Sequence, residues 1–154
     1  VYARLNPGEA NSGKLVARVR YRVRQAAADL GASLIVLDGP PGVGCPVISS
    51  MTGVDYVLLV TEPTPFGLHD LEAALNMVKA LKMEAGIVIN RCDIGDDRVR
   101  DFCRERGVPV LAEFPFDRRI AETYSRGEIA SNVLPDIREG YLELMGKLLS
   151  GVRA

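Results

Sequence analysis

Leu34-Ile35-Val36-Leu37-Asp38-Gly39-Pro40-Pro41-Gly42-Val43-Gly44 is the stretch on which the reading of the fold turns. Four apolar residues in unbroken succession suit a strand buried on both faces, and such strands belong to parallel sheets. The run ends in an acid and then in a loop of prolines and glycines. In open α/β sheets, ligands bind outside the carboxyl ends of the strands, so Asp38 stands where chemistry is expected. A carboxylate there can hold Mg²⁺, usually through retained water. Pro40 and Pro41 fix φ and remove two backbone donors, whereas Gly42 and Gly44 let the backbone approach a phosphate. A stiff start followed by a free amide is the construction expected of a switch. Taken alone, the same residues also fit an ordinary βα loop with a helix-capping Asp.

Working outward, similar runs recur at Tyr56-Val57-Leu58-Leu59-Val60, Gly86-Ile87-Val88-Ile89 and Val108-Pro109-Val110-Leu111. Amphipathic patterns lie between them. Leu68, Leu71, Leu75, Val78 and Leu81 repeat at threes and fours, and a second helix is expected from about Asp97 to a stop at Gly107. A last helix is predicted from near Pro135, burying Ile137, Tyr141, Leu144 and Leu148 across a face of the sheet. Alternating strands and helices predict an α/β fold with a doubly wound parallel sheet. Ala17 to Arg24 fits both periods, because Arg18, Arg20, Arg22 and Arg24 alternate with Val19, Tyr21 and Val23. The stripe Leu15, Val19, Val23, Ala26, Leu30 and the alanine run ending at Gly31 favour a helix. Its arginines read as a solvated face, since no aromatic residues interleave with them as stacking platforms.

A chain of 154 residues, 47% apolar and 25% charged, has room for one globular domain over 1-154 with a real core. The formal net charge of -1 gives no global basic field, so no nucleic-acid partner is expected. No apolar run approaches the roughly 18 residues of a membrane span, and Val1-Tyr2-Ala3-Arg4 does not open a leader. Cys45, Cys92 and Cys103 are odd in number and form no Cys-x-x-Cys pair, which suits buried thiols in a reducing cytoplasm. His69 stands alone near a helix start and reads as a packing or capping residue.

In this order, four segments give the chain a resemblance to the MinD/ParA/Mrp group of P-loop ATPases, and above all to members with an inserted ferredoxin domain. Asp38-Gly39-Pro40-Pro41-Gly42 looks like their Walker B and switch II, and Thr61-Glu62-Pro63-Thr64 with Gly67-Leu68-His69-Asp70-Leu71 looks like the strand and helix that follow. Ile89-Asn90-Arg91-Cys92-Asp93 resembles the segment whose Asn bonds the adenine edge, and Pro115-Phe116-Asp117 resembles the last base-side loop. The match runs from about Gly8 to Gly127, and Gly44-Cys45-Pro46 follows the ferredoxin-bearing pattern. The resemblance implies that Asp38 positions the water shell of Mg²⁺ and that the Gly42 amide senses the γ-phosphate. It also implies that Asn90, Arg91, Pro115, Phe116 and Asp117 line the nucleotide. An Asn can offer adenine a donor and an acceptor together, although a turn residue bonding its own backbone is the ordinary alternative for Asn90. The sequence Asn90-Arg91-Cys92-Asp93 is also similar to the guanine-reading Asn-Lys-x-Asp of GTPases, with Arg91 departing at the lysine position.

One departure matters. Gly8-Glu9-Ala10-Asn11-Ser12-Gly13-Lys14-Leu15 fits G-x-x-x-x-G-K, but Leu15 stands where a Ser or Thr would meet Mg²⁺. It is read as a false match, so the chain is expected to be the C-terminal half of such a domain, truncated and lacking the P-loop strand. ATP and Mg²⁺ would then be ligands of the complete ATPase, and an iron-sulfur cluster would belong only to an upstream domain. This chain alone would be inactive. The expected partners are the upstream P-loop half, a second copy in a homodimer, and an iron-sulfur or electron-transfer protein. A non-catalytic α/β interaction module is the alternative, whereas a flavodoxin- or receiver-like domain fits the Pro-Pro-Gly loop poorly. With the P-loop strand gone, Leu34 to Asp38 is expected to pair directly with Tyr56 to Thr61, or to find a filler in another copy or in Tyr2 to Leu5.

Overall fold

The computed structural model describes residues 1–3 and 12–151, which gather into two compact units, Val1–Val54 and Asp55–Ala154. The second unit holds the sheet. Its strands are β1 (Val57–Thr61), β2 (Ala85–Asn90) and β3 (Val110–Phe114), parallel and in the order β1-β2-β3. The crossovers are the helices α3 (Pro65–Ala80) and α4 (Arg98–Arg106), numbered after two helices of the first unit. α3 starts where Thr64 accepts the Gly67 N–H through its side chain at 3.0 Å, with Pro65 in the first turn. α4 stops where Gly107 turns left-handed, as its spacing predicts.

β2 lies between two neighbours and is the most buried strand, with Ile87 and Ile89 fully enclosed. Those two side chains share one face of the sheet with Leu71 of α3 and with Val99 and Cys103 of α4. An extra residue in β3 shifts the register between Ile87 and Val88, so that Ile87 pairs with Val110 and Val88 with Ala112. Phe114, opposite Asn90, consequently points to the other face. There α7 (Pro135–Gly151) covers it, with the Phe114 and Tyr141 rings 5.1 Å apart. Helices on both faces of a parallel sheet give the doubly wound α/β arrangement. Two short helices that the sequence reading passed over, α5 (Arg118–Ser125) and α6 (Ala130–Val133), lead from β3 to α7.

The first unit holds α1 (Ser12–Leu30) and α2 (Cys45–Met51), packed on one another. Ala17 to Arg24 is helical, but Leu30 is largely exposed, so the apolar stripe stops a turn early. Two of its arginines depart from the expected solvated face. Arg20 donates to the Ser49 carbonyl at 2.8 Å and to the Thr52 carbonyl, and Arg24 donates to the Gly53 carbonyl at 3.0 Å. They satisfy carbonyls that the end of a seven-residue helix leaves orphaned, and their charge suits the negative end of its dipole. Burial, and then the charge of Arg24, pull the Arg20 guanidinium below its ordinary range.

The expected strand Leu34 to Leu37 corrects in the same way. Among the described residues it forms no ladder, and Leu34, Ile35 and Val36 are exposed. Among the described residues the anticipated direct pairing with Tyr56 to Thr61 is not made, and β1 pairs with β2. A lone strand gains no inter-strand bonds, so an apolar run without a partner has nothing to hold it in a ladder. Tyr2 is exposed, and the rest of the Tyr2 to Leu5 filler lies outside the described residues, as does most of the Gly8 to Lys14 stretch.

Replacing Arg20 by Ala is predicted to leave the Ser49 and Thr52 carbonyls without their guanidinium partner and to cost about 1–3 kcal/mol. Hydrogen exchange at the Thr52 and Val54 amides, which bond back to α2, should quicken in Arg20→Ala and stay as in the wild type in the exposed-residue controls Arg18→Ala and Arg22→Ala.

Candidate functional site

Three strands running the same way deliver three loops to one end of the sheet. After β1 comes Glu62-Pro63-Thr64, after β2 Arg91 to Gly95, and after β3 Pro115-Phe116-Asp117. Short bonds tie these loops together. Pro63 is fully buried, and a side chain at Gly95 would reach within 1.7 Å of the Pro63 carbonyl oxygen, at a φ of 75°. Only glycine fits, so the first loop nests on the second. The second is tied to the third where the Phe116 N–H donates to Asp93 Oδ1 at 2.6 Å and the Cys92 N–H to the Phe114 carbonyl at 3.0 Å.

Asn90 ends β2 opposite Phe114 and is exposed. Arg91 follows with a φ of 50°, its guanidinium 5.1 Å from the Phe116 ring centroid and 3.8 Å from Glu62 Oε1. Pro115 and Phe116 present an exposed apolar wall. Asp117 is engaged elsewhere: it caps α5 by accepting the Arg119 N–H at 2.8 Å and takes the Arg119 guanidinium on both oxygens. Arg119 also grips Asp136 at the start of α7, and its hydrogen bonds hold both carboxyls below the usual carboxylate range.

In the first unit, Asp38 and Gly42 lie on the loop that leads into α2. Asp38 is exposed. Gly42 has a φ of 91°, a value that favours glycine, and so its amide is presented by a backbone that few other residues adopt. Gly44 caps α2, its carbonyl accepting from Val47 and Ile48. Among the described residues no cluster of three His, Cys, Asp or Glu could hold a metal. No described helix is long and apolar enough to cross a membrane. Cys103 is buried and Cys92 half-buried, their thiols pushed up chiefly by desolvation, whereas Cys45 is exposed, contrary to the expectation of buried thiols.

Glu62, Asp93 and Asp136 were not assigned roles by the sequence, because each acts through a partner distant in the chain, and Arg119 was not, because its bridge to Asp136 spans 17 residues. A glycine two residues beyond Asp93 was the one available signal that the Arg91 to Gly95 turn is tightly packed.

Comparison with known proteins gives consistent neighbours, although no family model matches the chain. An uncharacterized protein of Methanocaldococcus jannaschii is 30% identical over 83% of this chain and 43% of its own length. The iron-sulfur cluster carrier protein of Aquifex aeolicus is 25% identical over 77% of this chain and 37% of its own. The chain thus spans less than half the length of these relatives. Among solved structures, the cell division ATPase MinD of Pyrococcus furiosus superposes with a TM-score of 0.70 at 25% identity, over 92% of this chain and 59% of that one. The septum site-determining protein MinD of Pyrococcus horikoshii, complexed with Mg-ADP, gives 0.71 at 23% identity, over 94% and 60%.

Two outcomes are expected from this geometry. Gly95→Ala should lower stability by at least about 2 kcal/mol in urea unfolding, since the added methyl meets backbone at a left-handed residue. Acidification should loosen the Arg119 clamp. Carboxyls with depressed folded pKa values contribute stability that is present above the ordinary value near 3.8 and lost as pH falls through the folded one. The thermal midpoint should therefore drop less steeply between about pH 5 and 3 in Arg119→Ala than in the wild type.

Proposed function

We infer that this chain, which belongs to the MinD/ParA/Mrp superfamily of P-loop ATPases, supplies base-recognition residues in its second unit and a metal-side acid in its first to a protein that binds and hydrolyses ATP. One observation carries the reading. Asn90 stands exposed at the carboxyl end of the central strand, opposite Phe114, while Asp93 spends an oxygen on the Phe116 N–H. An Asp engaged in holding a loop is less able to read a guanine edge, whereas Asn90 can give adenine a donor and an acceptor together. Arg91, Pro115 and Phe116 flank it, and Asp117 contributes by fixing the start of α5.

The residues fit Mg²⁺ as well as the base. Asp38 would hold the ion's water shell, and Gly42 would offer its amide to the terminal phosphate. When bound, Mg²⁺ neutralises charge that develops on the phosphate oxygens during transfer. The contribution of this chain is positioning: a carboxylate that orients water, and an amide on a proline-stiffened loop whose contact would be lost on hydrolysis. A P-loop, which would cradle the remaining phosphates, is the proposed complement, and the edge of β1 away from β2 is a place where its strand could add. Assembly as a nucleotide-dependent homodimer and service to an iron-sulfur partner belong to the same proposal, the latter supported by the name of the Aquifex relative, an iron-sulfur cluster carrier protein. The exposed run Leu34-Ile35-Val36 favours a second reading, a non-catalytic docking module, in which the Asp38 carboxylate does nothing.

In the complete protein, Asp38→Asn is expected to lower ATP turnover roughly 100-fold or more with the fold intact by circular dichroism. Asn90→Ala should weaken ATP binding about 5- to 20-fold by calorimetry, as one or two lost base bonds require. Near-normal turnover in Asp38→Asn would favour the docking module instead.

A further inference from the structure

A strand at the rim of a sheet offers its outward N–H and C=O groups to any strand that can pair with them. β3 is in that position, because among the described residues its one strand neighbour is β2. Its backbone is nonetheless poorly suited to a visitor. Pro109, whose carbonyl accepts the Ile87 N–H at the entry to the strand, has no N–H of its own to give. Leu111 is passed over in the register, since Ile87 pairs with Val110 and Val88 with Ala112, so the strand bends near its start. The ladder of β1 on β2, by contrast, runs from Val57 to Thr61 without a shift.

Lys147 acts on the same spot. Its Nζ, carried on α7, donates to the Leu111 carbonyl oxygen at 2.7 Å. A long, exposed stem thus lets a helix on one face of the sheet reach round to the rim. The residue without a partner in the β2 register has its carbonyl held by an ammonium. A strand seeking that acceptor would have to displace a charge-assisted bond and leave a cation against its own backbone.

We propose that Lys147 is a gate that closes the outer edge of β3 to strand addition by a second copy of this chain. A second copy is the partner shut out, because an edge can pair with its own likeness antiparallel about a two-fold axis, with no other surface needed. The gate is independent of nucleotide and of the functional reading given above. It directs any added strand to the β1 side, where the ladder is regular.

Analytical ultracentrifugation of the whole chain without nucleotide, over a wide range of concentration, is the test, together with amide hydrogen exchange at Glu113. Phe114 turns its carbonyl to β2, where it accepts the Cys92 N–H at 3.0 Å, so by the alternation of a strand the Glu113 N–H points outward. Lys147→Ser removes the donor without adding apolar surface, and Lys147→Arg keeps a cationic donor. Lys82→Asn removes the same charge at a left-handed position that Asn tolerates. Lys147→Ser should dimerise at least about tenfold more tightly than the wild type, since each freed carbonyl counts twice in a two-fold pairing. Its Glu113 amide should exchange more slowly as concentration rises. Lys147→Arg and Lys82→Asn should behave as the wild type.

Wild-type association in Lys147→Ser would overturn the gate, as would association without slowed exchange at Glu113. Lys147→Arg that dimerises like Lys147→Ser would do the same, because the donor would then not matter. Concentration-dependent slowing at Glu113 in the wild type would overturn it whatever the variants do.

Discussion

A parallel strand in the middle of a sheet has to satisfy its backbone on both edges and cover both faces at once, and β2 meets both demands. Almost everything else in the second unit follows from that. Its apolar faces require a layer of helix on each side, which α3 and α4 provide on one and α7 on the other. Its parallel pairing forces every crossover back to the same starting end, so the loops that leave β1, β2 and β3 meet at the other. The register of β2 with β3 then decides which residues become neighbours there, and the extra residue near Leu111 sets Asn90 level with Phe114.

The same constraint explains what could be read in advance. Ile87 to Ile89, Leu71, Leu75, Val78 and Gly107 were legible because burial and capping leave periodic marks in the chain, and each of these elements appears where its pattern puts it. Asn90, Arg91 and Phe116 could be singled out as candidates, and of these Arg91 and Phe116 meet. Their mutual geometry was not legible, since Phe116 and Asp93 lie 23 residues apart in the chain and meet through a backbone N–H. Short α5 and α6 were missed because a helix of four to eight residues carries too few turns to show a period.

Leu34 to Leu37 went wrong for a different reason. Its composition specifies burial on two faces, but burial needs something to provide the faces, and a sequence pattern cannot say whether that is present. Arg20 and Arg24 failed in the opposite sense. Residues of a type usually solvated, on what reads as an outer face, have a specific task at the end of α2. Charged side chains with long stems can cover backbone as well as meet water, so alternation of Arg with Val was never a reliable map of inside and outside.

The left-handed backbone at Arg91 has a consequence for anyone who sets out to make this protein more robust. At such a φ any side chain with a Cβ carries a penalty of about 1–2 kcal/mol, which glycine escapes. A thermostability screen blind to ligand would therefore reward the loss of Arg91, and the best-behaved variant on a melting curve would lack the guanidinium that joins three loops. Stability and the bridge that Arg91 makes to Phe116 and Glu62 thus pull in opposite directions at this one position.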